Sequence, residues 1–556
     1  MIRLICVCGA LLFGGWFAIP WVQAQEKAAP AVASSAPDPF VRALTPDQLK
    51  AIDAWIDQTR QEWGVPGLSV AIVQNDEVVL SKGYGVRNVS GDASVDGDTL
   101  YAIASNSKAF TAAALAILVD EGKLRWDDPV HKYLPWLRLN DPLANQDLRV
   151  RDLLCHRSGL GTFSGDLLWW GTPYSAREIL ERSVYLKPEN PFRGGYGYSN
   201  LMFLAAGEVV QAVSGQSWNA FVQARILTPV RMTRTRLSVT ELPSIDNVAT
   251  PHKTLYVKSS ADKPLPDELK SVPIEWMNWD SMGAAGGIIS SVNDMSQWLR
   301  LQLRNGQRGD GDKIFSADRA YEMWQPQTII PISKSRSQRN PSTHFRAYGL
   351  GWSLSDYHGV KLVGHSGGYD GMYSEVLMVP EENLGIVVLT NSMTPIGNAI
   401  TYTIVDRALG APERNWSQEN LEQFRKSRIE FQDRITKATS PVAEGTQPSH
   451  PLMSYTGTFH CPMYGRSQVE LVDGKLRIRF EPYEALSATL EHLHYDTFVL
   501  KWDRSFAWFE AGTAHFVADA KGQFVKIELN VPNDDLWFHE LNLVRVPPKT
   551  ALPATR

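Results

Sequence analysis

Three short clusters in this 556-residue chain carry residue types able to break an amide or ester bond. The first is Ser105-Asn106-Ser107-Lys108, followed by the apolar run AFTAAALAILVDEG and the natural helix stop Gly122. A serine hydroxyl becomes a useful nucleophile only when a base takes its proton. Lys108, one turn on and on the same helix face, supplies that base if its pKa falls from the ordinary ~10.4. Burial and the positive end of a helix both push it down. The second cluster is Tyr198-Ser199-Asn200, again ahead of an apolar helical run. A phenol beside a lysine relays a proton, and a carboxamide orients a substrate carbonyl. The third is Gly364-His365-Ser366-Gly367-Gly368, which reads as a strand edge able to hydrogen-bond an extended substrate. The backbone N–H of Gly368 then joins that of Ser105 as an oxyanion hole.

Each cluster taken alone also fits a capping or packing role. S-x-x-K recurs about once by chance in a chain this long. Ser260 with Lys263 is such a copy, set in a polar loop with no helix behind it. GHSGG also fits the nucleophile elbow of α/β-hydrolases, with Ser366 as nucleophile. That reading needs a helix directly after the serine, then an acid and a histidine. The residues that follow, YDGMYSEVLMVPEENLGIVVLTN, read as strand, turn, strand. The context therefore favours Ser105.

The elements that must hold these clusters follow from periodicity. Thr45-Pro46-Asp47 opens a helix whose apolar positions run from Leu49 to Trp63, and Gly64 and Pro66 end it. Residues 68–73 and 77–81 form a hairpin around Asn75-Asp76. Further strands are expected at 349–354, 360–363, 374–379 and 385–389, so one sheet draws on both ends of a domain over 45–412. Residues 413–450 read as a charged helix and linker. Seven short strands are expected over 451–548, the last of them at 537–544. Their even spacing without helices argues a sandwich or small barrel, and 549–556 is a tail.

Hydrophobic residues are 44% and charged residues 21%, which excludes a disordered chain. A net charge of −5 without a basic block excludes ordinary nucleic-acid binding. Arg3, the apolar stretch 4–19 and Val22-Gln23-Ala24 read as a signal peptide over 1–24, cut after Ala24, with a tether over 25–44. A periplasmic or secreted protein without stable membrane insertion is expected. Of four cysteines, too few for a disulfide framework, Cys155 and Cys461 remain after cleavage and are expected to be free and buried.

In this order, Ser105-x-x-Lys108, Tyr198-x-Asn200 and His365-Ser366-Gly367 resemble the serine β-lactamase and penicillin-binding-protein superfamily. The branch most resembled is the class C β-lactamase-like one, which includes D-peptidases, D-aminopeptidases and esterases. VPGLSVAIVQNDEVVLSKGYG, LRVRDLLCHRSGL and GAAGGIISSVNDMSQWL add to the resemblance, which covers about 46–412. The C-terminal region resembles, more weakly, the lipocalin-like module of some of these peptidases. The resemblance implies an α+β fold, an antiparallel sheet flanked by helices plus a helical region, followed by a small all-β barrel-like domain. It implies Ser105 as acylated nucleophile, with Lys108 and Tyr198 sharing base and relay work. Asn200, His365, Ser366 and Gly367 would bind substrate, and Ser105 and Gly368 would form the oxyanion hole. No metal or cofactor is implied.

His365 stands where the family usually has lysine. Histidine is neutral part of the time near pH 7, which weakens the case for β-lactams and for substrates with a C-terminal carboxylate. The expected activity is hydrolysis of amides or esters of small molecules or peptides, of D-amino-acid peptidase, aminopeptidase or esterase type. The alternative is a penicillin-binding sensor without turnover. Trp169-Trp170 are expected in core packing and His156 in a structural hydrogen bond. His492 and His494 alternate on a strand with no third metal ligand in sight. The C-terminal module is expected to govern access or substrate choice, not bond breaking.

Overall fold

The computed structural model describes residues 43–257 and 268–547. The expected signal and most of the tether, the Ser260 and Lys263 pair and the tail lie outside the described residues. Helix α1 (Pro46–Glu62) starts at Thr45, whose hydroxyl accepts from the Gln48 N–H while the Gln48 side chain accepts from the Thr45 N–H. That reciprocal pair satisfies donors a helix start leaves free. The chain then forms a hairpin, β1 (Gly67–Gln74) and β2 (Glu77–Gly85), turned at Asn75 and Asp76, both at positive φ. Two consecutive left-handed residues are what a tight hairpin turn requires. The other strands of the sheet come from far down the chain: β3 (Thr328–Ile329), β4 (Arg346–Tyr348), β5 (Ser353–Tyr357), β6 (Val360–Tyr369), β7 (Met372–Val379) and β8 (Leu384–Thr390). Their order is β2-β1-β8-β7-β6-β5-β4-β3, antiparallel at every step.

Helices cover both faces: α2 (Ser107–Asp120), α3 (Asn200–Ser214) and α4 (Val292–Leu303) on one side, α1 and α5 (Ile396–Leu409) on the other. Alternation along β1 sorts its side chains. Val70 and Ile72 pack beneath α1 and α5, while Ala71 and Val73 face the cluster around α2 and α4. Burial on both faces explains why LSVAIV is an unbroken apolar run. On the α2 side, Phe110 stacks on Trp298 of α4 with ring centroids 3.9 Å apart.

Two expected strands are corrected. Residues 349–354 do not form one strand. β4 ends at Tyr348 and β5 begins at Ser353, with a turn between them that presses on α2. Gly351 lies in that turn at φ +80°, and a Cβ there would stand 2.9 Å from the Lys108 carbonyl oxygen. The 537–544 strand is also replaced, by a 3₁₀ turn at Phe538–Glu540 and a short strand at Leu543–Arg545. Phe538 is drawn into the barrel core, and Glu540 reaches the other domain.

The C-terminal strands close into an eight-stranded barrel, which settles the choice between sandwich and barrel. Its first strand, Gly457–Cys461, pairs with its last through Phe459↔Arg545 and His460↔Val544. Helix α6 (Trp416–Thr439) docks on both bodies. At one end Trp63 Nε1 donates to Ser417 Oγ (3.0 Å) and Trp416 Nε1 to Asp406 Oδ2 (2.6 Å). Towards the other end Arg434 pairs with Asp534 (2.7 Å). One apolar cluster runs from the helical region through Trp170 to Phe506 and Phe509 of the barrel. Cys155 and Cys461 are both buried free thiols. His492 Nε2 bonds the Tyr495 carbonyl at 2.9 Å, an ordinary turn contact.

Gly351→Ala is expected to destabilise the protein by about 1–2 kcal/mol from the left-handed backbone alone. The displaced Lys108 carbonyl adds to this, read as a lowered Tm.

Candidate active site

Ser105 sits in a 3₁₀ turn, Ala104–Asn106, that leads directly into α2. Ala104 is buried at φ +44°, a conformation unfavourable for a residue with a Cβ and typical of sites where the surroundings impose geometry. Three hydrogen bonds impose it here. Asn106 Nδ2 donates to Ser374 Oγ on β7 (2.8 Å), Ser374 Oγ donates to the Ile103 carbonyl (2.7 Å), and the Ile288 N–H donates to Ser107 Oγ (3.1 Å).

Lys108 is wholly buried. Its Nζ lies 3.0 Å from Ser105 Oγ, 2.7 Å from Asn200 Oδ1 and 2.9 Å from the Ala285 carbonyl oxygen. The last two can only accept. Asn200 is held that way round because its Nδ2 donates to Asp166 Oδ2 (2.7 Å). A neutral lysine has two N–H bonds and one lone pair. The two obligate acceptors take both N–H bonds, so the lone pair points at the Ser105 hydroxyl. Burial lowers Lys108 to a pKa of about 7, against an opposing pull from Asp166. Burial raises Asp166 to about 8, although the Trp169 indole (3.0 Å) and the Asn200 amide donate to it.

Tyr198 enters from the segment ahead of α3, with its ring 4.8 Å from Lys108 Nζ. Burial holds its phenol well above the usual 10, only partly offset by a hydrogen bond with Ser105. It therefore stays protonated at neutral pH. His156 has the structural role expected. Its Nδ1 accepts from the Ser199 N–H at 3.0 Å, and its ring packs 4.1 Å from that of Tyr198.

The third cluster lies on β6. Residues 360–364 of β6 pair with β5, whereas 365–369 have β7 on one side and no strand on the other among the described residues. That open edge passes over the nucleophile turn. A Cβ on Gly367 would stand 2.3 Å from the Ile103 carbonyl oxygen and 2.9 Å from the Ser105 nitrogen, so only glycine fits. Ser366 is an exposed mid-strand residue without a following helix, which removes the nucleophile-elbow reading. His365 is buried. Its Nδ1 lies 2.6 Å from the Ser366 carbonyl, which can only accept, so Nδ1 carries the proton and Nε2 accepts from Tyr348 OH (2.7 Å). Burial, aided by Lys108, lowers its pKa to about 3. It is neutral throughout the physiological range and carries no charge for substrate.

Ser105 opens into a cleft of about 340 Å³ that also takes in Tyr198, Asn200 and His365. Trp169 and Trp170 are buried as expected, yet they also line this cleft. Sequence reasoning missed Asp166, whose only signal is a lone acid in SGDLLWW, and missed the cleft's other wall entirely. That wall includes Trp508, Asp535 and Leu536, which come from the barrel. Asp370, just past the third cluster, accepts from the Trp170 (3.3 Å) and Trp279 (3.0 Å) indoles and also from Trp508.

A family model described as Beta-lactamase matches residues 52–410, and a domain of unknown function, DUF3471, matches 442–545. The chain is 29% identical to an unguisins hydrolase of Aspergillus campestris over 428 residues, 74% of this chain and 75% of that protein. It is 30% identical to protein flp of Staphylococcus aureus over 357 residues, 63% of this chain and 64% of that protein. Among solved structures, a D-amino acid amidase from Ochrobactrum anthropi superposes with a TM-score of 0.52 at 26% identity, covering 66% of this chain and 98% of that one. An octameric penicillin-binding protein homologue from Pyrococcus abyssi shares the fold at a TM-score of 0.54 and 24% identity, covering 87% of this chain and 98% of that one.

The lysine geometry has a direct spectroscopic consequence. In a sample with labelled lysine side chains, one Cε resonance, absent from Lys108→Met, is expected to titrate with a midpoint near 7. A midpoint near 10 would contradict the neutral-lysine arrangement.

Proposed function

The chain belongs to the β-lactamase family of serine hydrolases, and on that premise we propose that it cleaves amide bonds next to a free amino group, in D-amino-acid amides or short peptides, through a Ser105 acyl-enzyme. The observation that carries the chemistry is Lys108 Nζ 3.0 Å from Ser105 Oγ, with its other two partners obligate acceptors. Ser105 Oγ attacks the substrate carbonyl carbon as its proton passes to Lys108 Nζ. The N–H groups of Ser105 and Gly368 receive the developing oxyanion. The C–N bond then breaks, the amine leaves with the proton held by Lys108, and water hydrolyses the resulting ester. Lys108 is the base in this reading and Tyr198 is not, because the buried phenol keeps its proton. Tyr198 relays or donates.

The preference for an amino group rests on the cleft's acids. Asp535 lines the cleft and Asp370 is buried beneath the Trp170 and Trp279 indoles that line it, close enough to disfavour ionisation of Asp535, and the same cleft also takes in Arg346. Burial, then Asp534 and Asp370, raise Asp535 to about 7. A substrate ammonium beside Asp535 relieves that repulsion. The amidase resemblance supports the D-amino-acid class. The neutral His365 supplies no charge for the carboxylate of a β-lactam, and a cation that does line the cleft is Arg346. We also propose export, supported by the apolar stretch and Ala24 at the N-terminus; among the described residues no helix is long and apolar enough to cross a membrane.

Ser105→Ala is expected to cut turnover of D-amino-acid amides by ~10³-fold or more. Wild-type rates on that substrate with Ser105→Ala would end this reading. The acid limb of kcat/KM is expected near pH 7, where Lys108 gives up its proton. Asp535→Asn is expected to raise KM by about tenfold for substrates with a free amino group, and to leave N-acetylated ones unchanged.

A further inference from the structure

The turn that carries Asp166 is not held by the catalytic domain alone. Glu540, in the barrel's 3₁₀ turn Phe538–Glu540, accepts from Ser164 Oγ (2.5 Å) and from the Gly165 N–H (2.9 Å). Gly165 is the residue before Asp166, and it takes φ +81° to start the Asp166–Leu168 turn. From there the contacts continue without a gap. Asp166 accepts from Asn200, Asn200 accepts from Lys108, and Lys108 meets Ser105. The catalytic domain holds the same turn through the Phe163 N–H on the Tyr198 carbonyl (2.8 Å) and the Trp169 indole on Asp166 (3.0 Å), and Glu540 adds two hydrogen bonds to a carboxyl group from the barrel. No other carboxylate bonds the Ser164 hydroxyl or the Gly165 N–H among the described residues.

We propose that Glu540 of the barrel is a positioning residue for the catalytic lysine: it holds the 164–166 turn, which sets Asp166, which sets the Asn200 amide that aims Lys108. This rests on the reading of Lys108 as base. It extends the barrel's role past access and substrate choice to the machinery itself. It also accounts for the break in the expected 537–544 strand, since a regular strand there would not deliver Glu540 to another domain.

The test uses the full chain with Glu540→Ala, Glu540→Gln and Ser164→Ala. Three quantities are read: kcat and KM per active site titrated with an acylating probe, the Lys108 Cε midpoint, and Tm. Glu540→Ala is expected to lower kcat by about tenfold with KM little changed, because the aim of the base is lost and not substrate contact. Its Lys108 midpoint is expected to move upward as water reaches the loosened turn. Glu540→Gln keeps an acceptor for the Gly165 N–H and is expected to stay within ~3-fold of wild type. Ser164→Ala keeps the Gly165 bond and is expected to show a smaller loss in the same direction, and it serves if Glu540→Ala does not fold. Wild-type kcat per titrated site with an unmoved Lys108 midpoint, in Glu540→Ala or, failing that, in Ser164→Ala, overturns the proposal. So does a loss explained by fewer active sites at the wild-type rate. The lysine midpoint keeps the two questions apart. If Ser105→Ala shows that turnover does not depend on Ser105, the proposed function fails, while a shifted midpoint in Glu540→Ala still supports the link from barrel to lysine.

Discussion

The structure is organised around one buried amine. Taking an ammonium out of water costs several kcal/mol even after relaxation. Lys108 finds no salt bridge among the described residues, and burial lowers its pKa to about 7, so it sheds its charge far more readily than an exposed lysine. Neutrality then creates a directional requirement that a charged lysine would not have. With two obligate acceptors at Asn200 and Ala285, its remaining lone pair has one place to point, the Ser105 hydroxyl. Asp166 sits one residue removed, bonded to the Asn200 amide, so it orients the base without supplying a direct counter-ion that would keep it protonated.

That arrangement demands close approach from several directions, and glycine recurs where backbones must come near. Gly351 lets the turn before β5 lie against the Lys108 carbonyl, and Gly367 lets β6 cross the nucleophile turn with its free edge toward the cleft. Ala104, held at positive φ, shows where the strain is kept. The sheet supplies the rigidity. Its first strand, β1, is hydrogen-bonded to β8 from the domain's far end, and Ser374 of β7 bonds the turn that carries Ser105, so one antiparallel sheet fixes that turn against β6.

The barrel is part of the same apparatus. The apolar cluster is continuous through Trp170 into its core, and Trp508 and Asp535 complete the cleft. Asp370 shows the economy of the arrangement, since one carboxylate orients indoles from both domains, Trp170 and Trp279 on one side and Trp508 on the other. The proposed preference for a substrate ammonium rests on Asp535 in the cleft wall with Asp370 close behind it.

The proposed nucleophile and base were legible in the sequence as a pair because they are local. Ser105 and Lys108 are one turn apart on a helix that the apolar run AFTAAALAIL announces, and the strand and helix periods placed the other two clusters on a free edge and ahead of a helix. Six of the barrel strands were readable for the same reason; the first, Gly457–Cys461, was not read, and 537–544 was read too long. What the tertiary structure decided is everything set by burial or by contacts across domains. Histidine at position 365 reads as a partly charged residue until its ring is seen buried between Tyr348 and its neighbour's carbonyl, held neutral. Asp166, Asp370, Asp535 and Glu540 carry no periodic signal, because a carboxyl group in a turn looks like any surface acid. A sequence fixes which side chains an element presents. Only packing fixes how much water each one loses, and here that loss lowers the pKa of both Lys108 and His365.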